Sequence, residues 1–288
     1  MKKNNFYKNS AFLLIISLTM FSCDLFNLNW GGNKYTIGHF PTSPVNLEEF
    51  NTEFDDYNSD IPVFLDVFPF CFSSNRNSNG GNYDIVYKLM SVKFSKKTGK
   101  LDIYEETRAN LSVHIENENY EDPVAVEFLN SDFDDAYPTF NNDNSELYFT
   151  SNRAGKFDIY KIETDASKEI VEILSENSSA TVEKVAVLSS GFDDKCPSIN
   201  NNMLVFASNR AGGFGGYDLC YSLFENGTWS EPVNFGSEIN SEYDEYRPIV
   251  RSKPWEFDND MMIFSSNRPG GKGGFDLYFV GIERKGEI

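Results

Sequence analysis

Short apolar runs bounded by glycine, asparagine and aspartate recur along the chain. The run Met203–Ser208 is apolar enough to be buried on both faces, which predicts an interior strand. A short strand over 197–200 precedes it. The glycine-rich stretch 211–216 predicts a hairpin connection, because glycine takes positive φ without steric cost. Residues 217–223 read as a third strand, Glu225-Asn226-Gly227 as a tight turn, and 229–235 as a fourth strand leading onward.

This unit is one of four copies. The tripeptide Ser-Asn-Arg ends at Arg76, Arg153, Arg210 and Arg268. An aromatic-Asp pair follows each time, at Tyr83-Asp84, Phe157-Asp158, Tyr217-Asp218 and Phe275-Asp276. An acidic pair precedes each, at Asp55-Asp56, Asp134-Asp135, Asp193-Asp194 and Asp244-Glu245. A proline lies close behind the acids (Pro62, Pro138, Pro197, Pro248). A Pro-Val-type segment lies ahead of them (44–47, 123–126, the weaker 185–188, and 232–235). Four short antiparallel strands in each recurring unit predict an all-β fold, a small β-propeller with four-stranded blades.

The chain enters the repeats at 40–47, equivalent to a fourth strand, and leaves them after 275–283, equivalent to a third. The N-terminal strand is therefore expected to pair with the last blade and close the ring, leaving no free sheet edge. The Arg-to-Arg spacings are 77, 57 and 58 residues. The excess in the first interval, within 89–118, contains a faint echo of the repeat at 94–104. It reads as a degenerate fifth blade or as an extended hairpin, so four blades are expected, with five as the alternative.

The first 22 residues do not belong to this pattern. Lys2, Lys3 and Lys8 precede the apolar stretch 11–21, which is too short to span a bilayer, and small Ser22 stands before Cys23. This is the layout of a secretory signal peptide, expected over 1–22. A tether is expected over 23–34 and the propeller over 35–288. Of the remaining cysteines, Cys71, Cys196 and Cys220 lie in or beside strand-like runs and read as small buried thiols, with no disulfide expected.

Composition narrows the partners. Lys plus Arg is 25 against 44 Asp plus Glu, a formal charge of −19 that becomes −22 once the leader's three lysines are removed. Nucleic acid and electrostatic docking on anionic lipid are both disfavoured by that balance. With two histidines, a His-rich zinc site is excluded.

The stretch 138–160, Pro-(x)n-Tyr-Phe-Thr-Ser-Asn-Arg-(x)n-Phe-Asp-Ile-Tyr, resembles the PD40 or WD40-like repeat of TolB-type propellers. The variant Gly-Gly-x-Gly-Gly-Tyr-Asp-Leu at 212–219 is similar to the form found in envelope lipoproteins of Bacteroidota. The Cys23 layout resembles a lipoprotein signal, with Cys23 as the lipidated N-terminus. The resemblance implies an outer-membrane lipoprotein facing the periplasm or the cell surface. No OmpA-like peptidoglycan-binding domain occurs in these residues, so that role is not carried over.

Propeller connections alternate between two faces, so the Ser-Asn-Arg loops and the acidic loops are expected on one face. Arg76, Arg153, Arg210 and Arg268 are expected to pair with Asp84, Asp158, Asp218 and Asp276, or with the acidic pairs, and to pin the hairpins. Repetition in every blade favours that structural role, since a unique site would break the symmetry. The competing role is a binding face for a partner or a cation. Oxygen-rich loops suit Ca²⁺, but the spacing lacks the ligand ladder of a calcium loop, and no metal ligands or other cofactor are assigned. No nucleophile elbow occurs, and neither histidine lies near a nucleophile motif. The expected function is a non-catalytic scaffold for an envelope protein or a glycan. A carboxylate-dependent glycoside hydrolase and a Ca²⁺-stabilised binding propeller are the alternatives.

Overall fold

The computed structural model describes residues 34–48, 50–62, 67–105, 123–165, 167–168, 170–175, 180–252 and 257–284. The signal segment, Cys23, nearly all of the tether and residues 106–122 lie outside them.

The chain forms two compact units, one from Met1–Val45 with Val92–Ile103, the other from Asn46–Ser91 with Tyr104–Ile288. The first is small. The Lys34 and Tyr35 amides donate to the Lys96 carbonyl, and His39 bridges Lys100 in parallel.

The propeller is four antiparallel sheets arranged as four blades, and its residues belong to the second unit except for 92–94 and 101–103 of the first sheet. The first sheet holds β1 (Asp56–Asp60), β2 (Val67–Ser74) and β3 (Asp84–Phe94), with β4 (Leu101–Glu105) and β5 (Val124–Ala125) both against β3. The second holds β6 (Asp135–Phe140), β7 (Glu146–Ser151), β8 (Asp158–Glu163) and β9 (Glu183–Lys184). The third holds β10 (Asp194–Asn200), β11 (Met203–Ser208), β12 (Asp218–Glu225), β13 (Thr228–Trp229) and β14 (Val233–Asn234). The fourth holds β15 (Glu245–Arg251), β16 (Asn259–Ser266) and β17 (Asp276–Glu283). Among the described residues the one helix is short, α1 (Ile170–Ser175), and it buries Ile170, Ile173 and Leu174. Among the described residues no helix is long and apolar enough to cross a membrane.

The third blade follows the sequence reading closely. β11 matches it residue for residue. The expected fourth strand is divided into β13 and β14, because residues 230–232 leave the ladder and only residues 228–229 and 233–234 pair with β12. The excess of the first repeat is an extended hairpin: β3 runs eleven residues, and a turn closed by Gly99 and Ser95 returns the chain as β4. There is no fifth blade among the described residues.

Three buried clusters fill three seams between blades. Cys71, Ile85 and Tyr87 meet Leu147, Phe149 and α1. Tyr148 and Ile159 meet Leu204, Phe206 and Trp229. Val205 and Leu219 meet Val250, Met262 and Phe264. Within the second seam the Trp229 indole N–H donates to the Tyr148 hydroxyl at 3.1 Å, which satisfies a polar group inside an apolar layer.

The fourth blade departs from expectation. Residues 40–47 form no strand, and Pro41 and Pro44 withhold two amide donors from any ladder there. Among the described residues β17 pairs with β16 alone, so this blade has three strands and the expected closing pair is absent. Its two faces are unequal. Ile263 stands opposite both Ile249 and Phe279, and Ser265 opposite Leu277, so these residues share one face. That face is solvent-exposed, Leu277 to 77% and Phe279 to 80%.

All four inner strands carry the same irregularity. A register shift interrupts the ladder after Tyr57, Ala136, Lys195 and Tyr246. The next residue has positive φ in every case: Asn58 at 52°, Tyr137 at 59°, Cys196 at 56° and Arg247 at 51°. Asparagine tolerates this conformation, whereas for Tyr, Cys and Arg it costs roughly 1–3 kcal/mol each. Proline follows in three copies, at Pro138, Pro197 and Pro248, where a bulge leaves no ladder donor to be missed.

Candidate functional site

Each Ser-Asn-Arg arginine forms one clamp, built the same way four times. The Nε of Arg210 donates to the Ser208 hydroxyl at 3.0 Å, while its Nη2 reaches Asp194 Oδ1 at 2.8 Å and the Leu188 carbonyl at 2.9 Å. Arg76 holds Ser74, Asp56 and the Phe50 carbonyl. Arg153 holds Ser151, Asp135 and Leu129, and Arg268 holds Ser266, Glu245 and Ile239. The guanidinium also lies 5.1–5.3 Å over the ring four residues earlier, at Phe72, Phe149, Phe206 and Phe264. The partner is the second acid of the acidic pair in every blade, and none of the aromatic-Asp aspartates meets these arginines.

The second acid is held from its other side as well. Thr52, Ser131, Ser190 and Ser241, each four residues upstream, donate from both backbone and hydroxyl. The same four-residue spacing is visible in the sequence of all four copies. Asp135, Asp194 and Glu245 are fully buried. Burial pushes the Asp56 carboxyl up, but Arg76, Ser74 and Thr52 outweigh it and hold it below the ordinary value.

The first acid joins neighbouring blades. Asp134, Asp193 and Asp244 accept the amides of Tyr83, Phe157 and Tyr217 at 2.9–3.1 Å. The amide of the following acid returns a bond to the same residue's carbonyl. Among the described residues the fourth seam has no counterpart: neither Asp55 nor Asp56 bonds Phe275, and Asp55 instead accepts the Tyr83 hydroxyl at 2.8 Å.

The third acid pins its own hairpin by different means in each blade. Asp84 accepts Asn77 at 3.0 Å, and burial raises its carboxyl. Asp158 is held by Lys156 and by Lys184, the latter at 2.6 Å. Asp218 takes the amides of Phe214 and Gly215, and Asp276 those of Lys272 and Gly273. In these last two blades the loop wraps the carboxylate so closely that a Cβ on Gly213 or Gly271 would strike it, which explains the Gly-Gly variant.

What differs between blades gathers at the bulges. The residue pairs there are Tyr57-Asn58, Ala136-Tyr137, Lys195-Cys196 and Tyr246-Arg247. The Tyr57 ring packs edge-on against Tyr83 at 4.8 Å and Tyr137 at 5.8 Å, and Tyr246 against Tyr217 at 5.0 Å. Lys195 lies 3.8 Å over Phe157 and 3.8 Å from Asp193. Arg247 is exposed, 5.0 Å over Tyr57 and 5.9 Å over Tyr246, thereby spanning the first and fourth blades. Burial raises the tyrosine hydroxyls here, Tyr137 to about 12, and lowers Lys195. Burial also raises the Cys196 thiol, to about 12, which leaves it protonated and inert at neutral pH. A cavity of about 340 Å³ beside this cluster is lined by Tyr217, Asp244, Tyr246, Arg247, Ser265 and Phe275. Asp244 is an expected binding-face residue, and Tyr217 and Phe275 belong to the aromatic-Asp pairs; sequence reasoning missed Tyr57, Tyr246, Arg247 and Ser265 because it followed what the copies share.

One further carboxyl stands out. Burial pushes Asp60 on β1 above its ordinary value, against the opposing effects of the Phe140 amide and the Arg251 charge. A raised folded-state value means its stabilising contribution is full below about 3.8, the ordinary value, and is lost as pH rises through the shifted one. Asp60→Asn is therefore expected to raise the melting temperature at pH 7–8, with the gain shrinking toward pH 4. A scan of melting temperature against pH checks this; a loss at pH 8 would contradict it.

Cys71, Cys196 and Cys220 are buried free thiols. Among the described residues no group of three or more His, Cys, Asp or Glu side chains is placed to hold a metal ion.

Fold and site together define a four-bladed β-propeller with one arginine clamp per blade. No family model matches the sequence, and no curated protein sequence matches it. Among solved structures, a puromycin-hydrolysing peptidase of Mycobacterium tuberculosis is 12% identical over 81% of this chain and 37% of its own, with a TM-score of 0.40. TolB of Acinetobacter baumannii is 15% identical over 79% of this chain and 50% of its own, TM-score 0.37. A GH62 hydrolase bound to xylotriose is 12% identical over 88% of this chain and 73% of its own, TM-score 0.40. The chain thus spans half or less of the first two, and no activity is carried over from any of them.

Proposed function

We propose that this chain is an envelope lipoprotein, anchored through Cys23, whose propeller is a non-catalytic binding platform for another envelope protein or a glycan. The observation that carries this reading is the division of labour among the charged side chains. The repeated arginines and the second acid of each pair are consumed in clamps, while the side chains that differ between blades form one aromatic cluster. Acid–base catalysis needs carboxyls free to exchange protons with a substrate, and the clamped ones are committed to internal donors. Aromatic residues on a rigid scaffold are the usual material of recognition surfaces.

The purified protein is expected to leave a panel of glycans uncleaved. It should also capture a partner after mild solubilisation of envelopes, and Tyr57→Ala or Tyr217→Ala should lose that capture while the fold remains intact. Cleavage of any glycan that is abolished by an Asp→Asn substitution would replace this reading with a hydrolase.

A further inference from the structure

The cavity beside Arg247 carries a more specific reading. Arg247 is the one arginine of the four inner strands at the bulge position, and its guanidinium stacks on Tyr57 and Tyr246 instead of meeting an acid. Among the described residues it has no ion pair, unlike Arg76, Arg153, Arg210, Arg268 and Arg284. The cavity wall adds the rings of Tyr217, Tyr246 and Phe275, the last 54% exposed, and the Ser265 hydroxyl. Asp244 is fixed in place by the Tyr217 amide at 2.9 Å and by Asn267 at 3.1 Å. Both of its oxygens are engaged, yet each can accept a further hydrogen bond.

We infer that this cavity binds a sugar residue bearing a single carboxylate, at or near the end of a glycan. The inference rests on the binding-platform reading and names its ligand class. The fork of Arg247 matches a carboxylate bidentately. The aromatic walls match the apolar face of a pyranose ring, and about 340 Å³ lies at the small-ligand end of binding cavities. Ser265 and the remaining acceptor capacity of Asp244 suit ring hydroxyls, groups that an apolar or aromatic ligand lacks. The formal charge of −19 disfavours a polyanion, since many carboxylates would be repelled while one is compensated locally. A uronate cap on an otherwise neutral chain satisfies all of these conditions.

Calorimetric titration tests the assignment with two matched probes, a neutral xylo-oligosaccharide and the same oligosaccharide carrying one glucuronic acid. The acidic probe should bind about tenfold or more tightly, the scale of one charge-assisted hydrogen-bond pair. Arg247→Gln should erase that difference while lowering the melting temperature only slightly, because its two ring contacts are exposed cation–π contacts and it holds no ion pair among the described residues. Equal affinity for the two probes, or a preference that survives Arg247→Gln, would overturn the inference, as would binding confined to a peptide with a free aromatic C-terminus. The reducing ends of both probes are followed in the same samples. Cleavage would overturn the non-catalytic reading while leaving Arg247-dependent binding in place. Absence of sugar binding alongside intact, tyrosine-dependent partner capture would overturn the ligand assignment alone.

Discussion

Arg210→Ala is expected to cost about 3–5 kcal/mol of folding stability, the usual effect of removing one partner from a buried ion pair. Its partner Asp194 is fully buried and would be left with Ser190 and Ser208 as its remaining donors. The Leu188 carbonyl would lose its arginine donor as well. A domain of this kind has roughly 5–15 kcal/mol in total, so one clamp is a large share. Denaturant unfolding measures the loss. The companion double variant Arg210→Met with Asp194→Leu should recover at least half of it, because no uncompensated charge then remains. If Arg210→Ala unfolds at the same denaturant midpoint as the parent, the clamp is ornamental and the arginine is free for another role.

The second large effect concerns the fourth blade, whose two faces should respond oppositely. Phe264 is buried in the cluster shared with the third blade, and Phe264→Ala should cost about 3–5 kcal/mol through lost transfer energy and the cavity left behind. Phe279 lies one strand away, on the opposite face, 80% exposed. Phe279→Ser should change stability by no more than about 0.5 kcal/mol. Thermal or urea melts of the two variants provide the comparison. A large loss from Phe279→Ser would mean that this face is covered in solution.

The architecture was legible because it is repeated. Five elements in fixed order located the blades, and glycine-rich and Asn-Gly punctuation located their hairpins. The choice of partner for the arginines was not legible. Asp194 and Asp218 stand 16 and 8 residues from Arg210, and sequence separation does not say which carboxylate the folded hairpin brings within reach. The small signal that would have decided it was the Ser or Thr four residues before each second acid, which marks that acid as the one turned inward. The bulges were invisible for a different reason. Tyr137, Cys196 and Arg247 have no intrinsic preference for positive φ, so the strand geometry imposes it on them. The closing strand was over-read: residues 40–47 carry the right motif, but a motif cannot report whether its ladder forms. The aromatic cluster was not legible because it lies where the copies differ, and a repeat reports only what its copies share.

The three stitched seams and the single unstitched one also bear on how such a ring changes length. Inserting a repeat between the first and second blades, or at either of the next two seams, would break an acid-to-amide latch and divide a buried cluster. Between the fourth and first blades no such latch exists among the described residues. A duplicated repeat added there would break none of these bonds and would supply an outer face for the exposed side of β17. The seam is thus the junction where an added repeat would break the fewest of the described bonds, while each of the other three would lose an acid-to-amide latch.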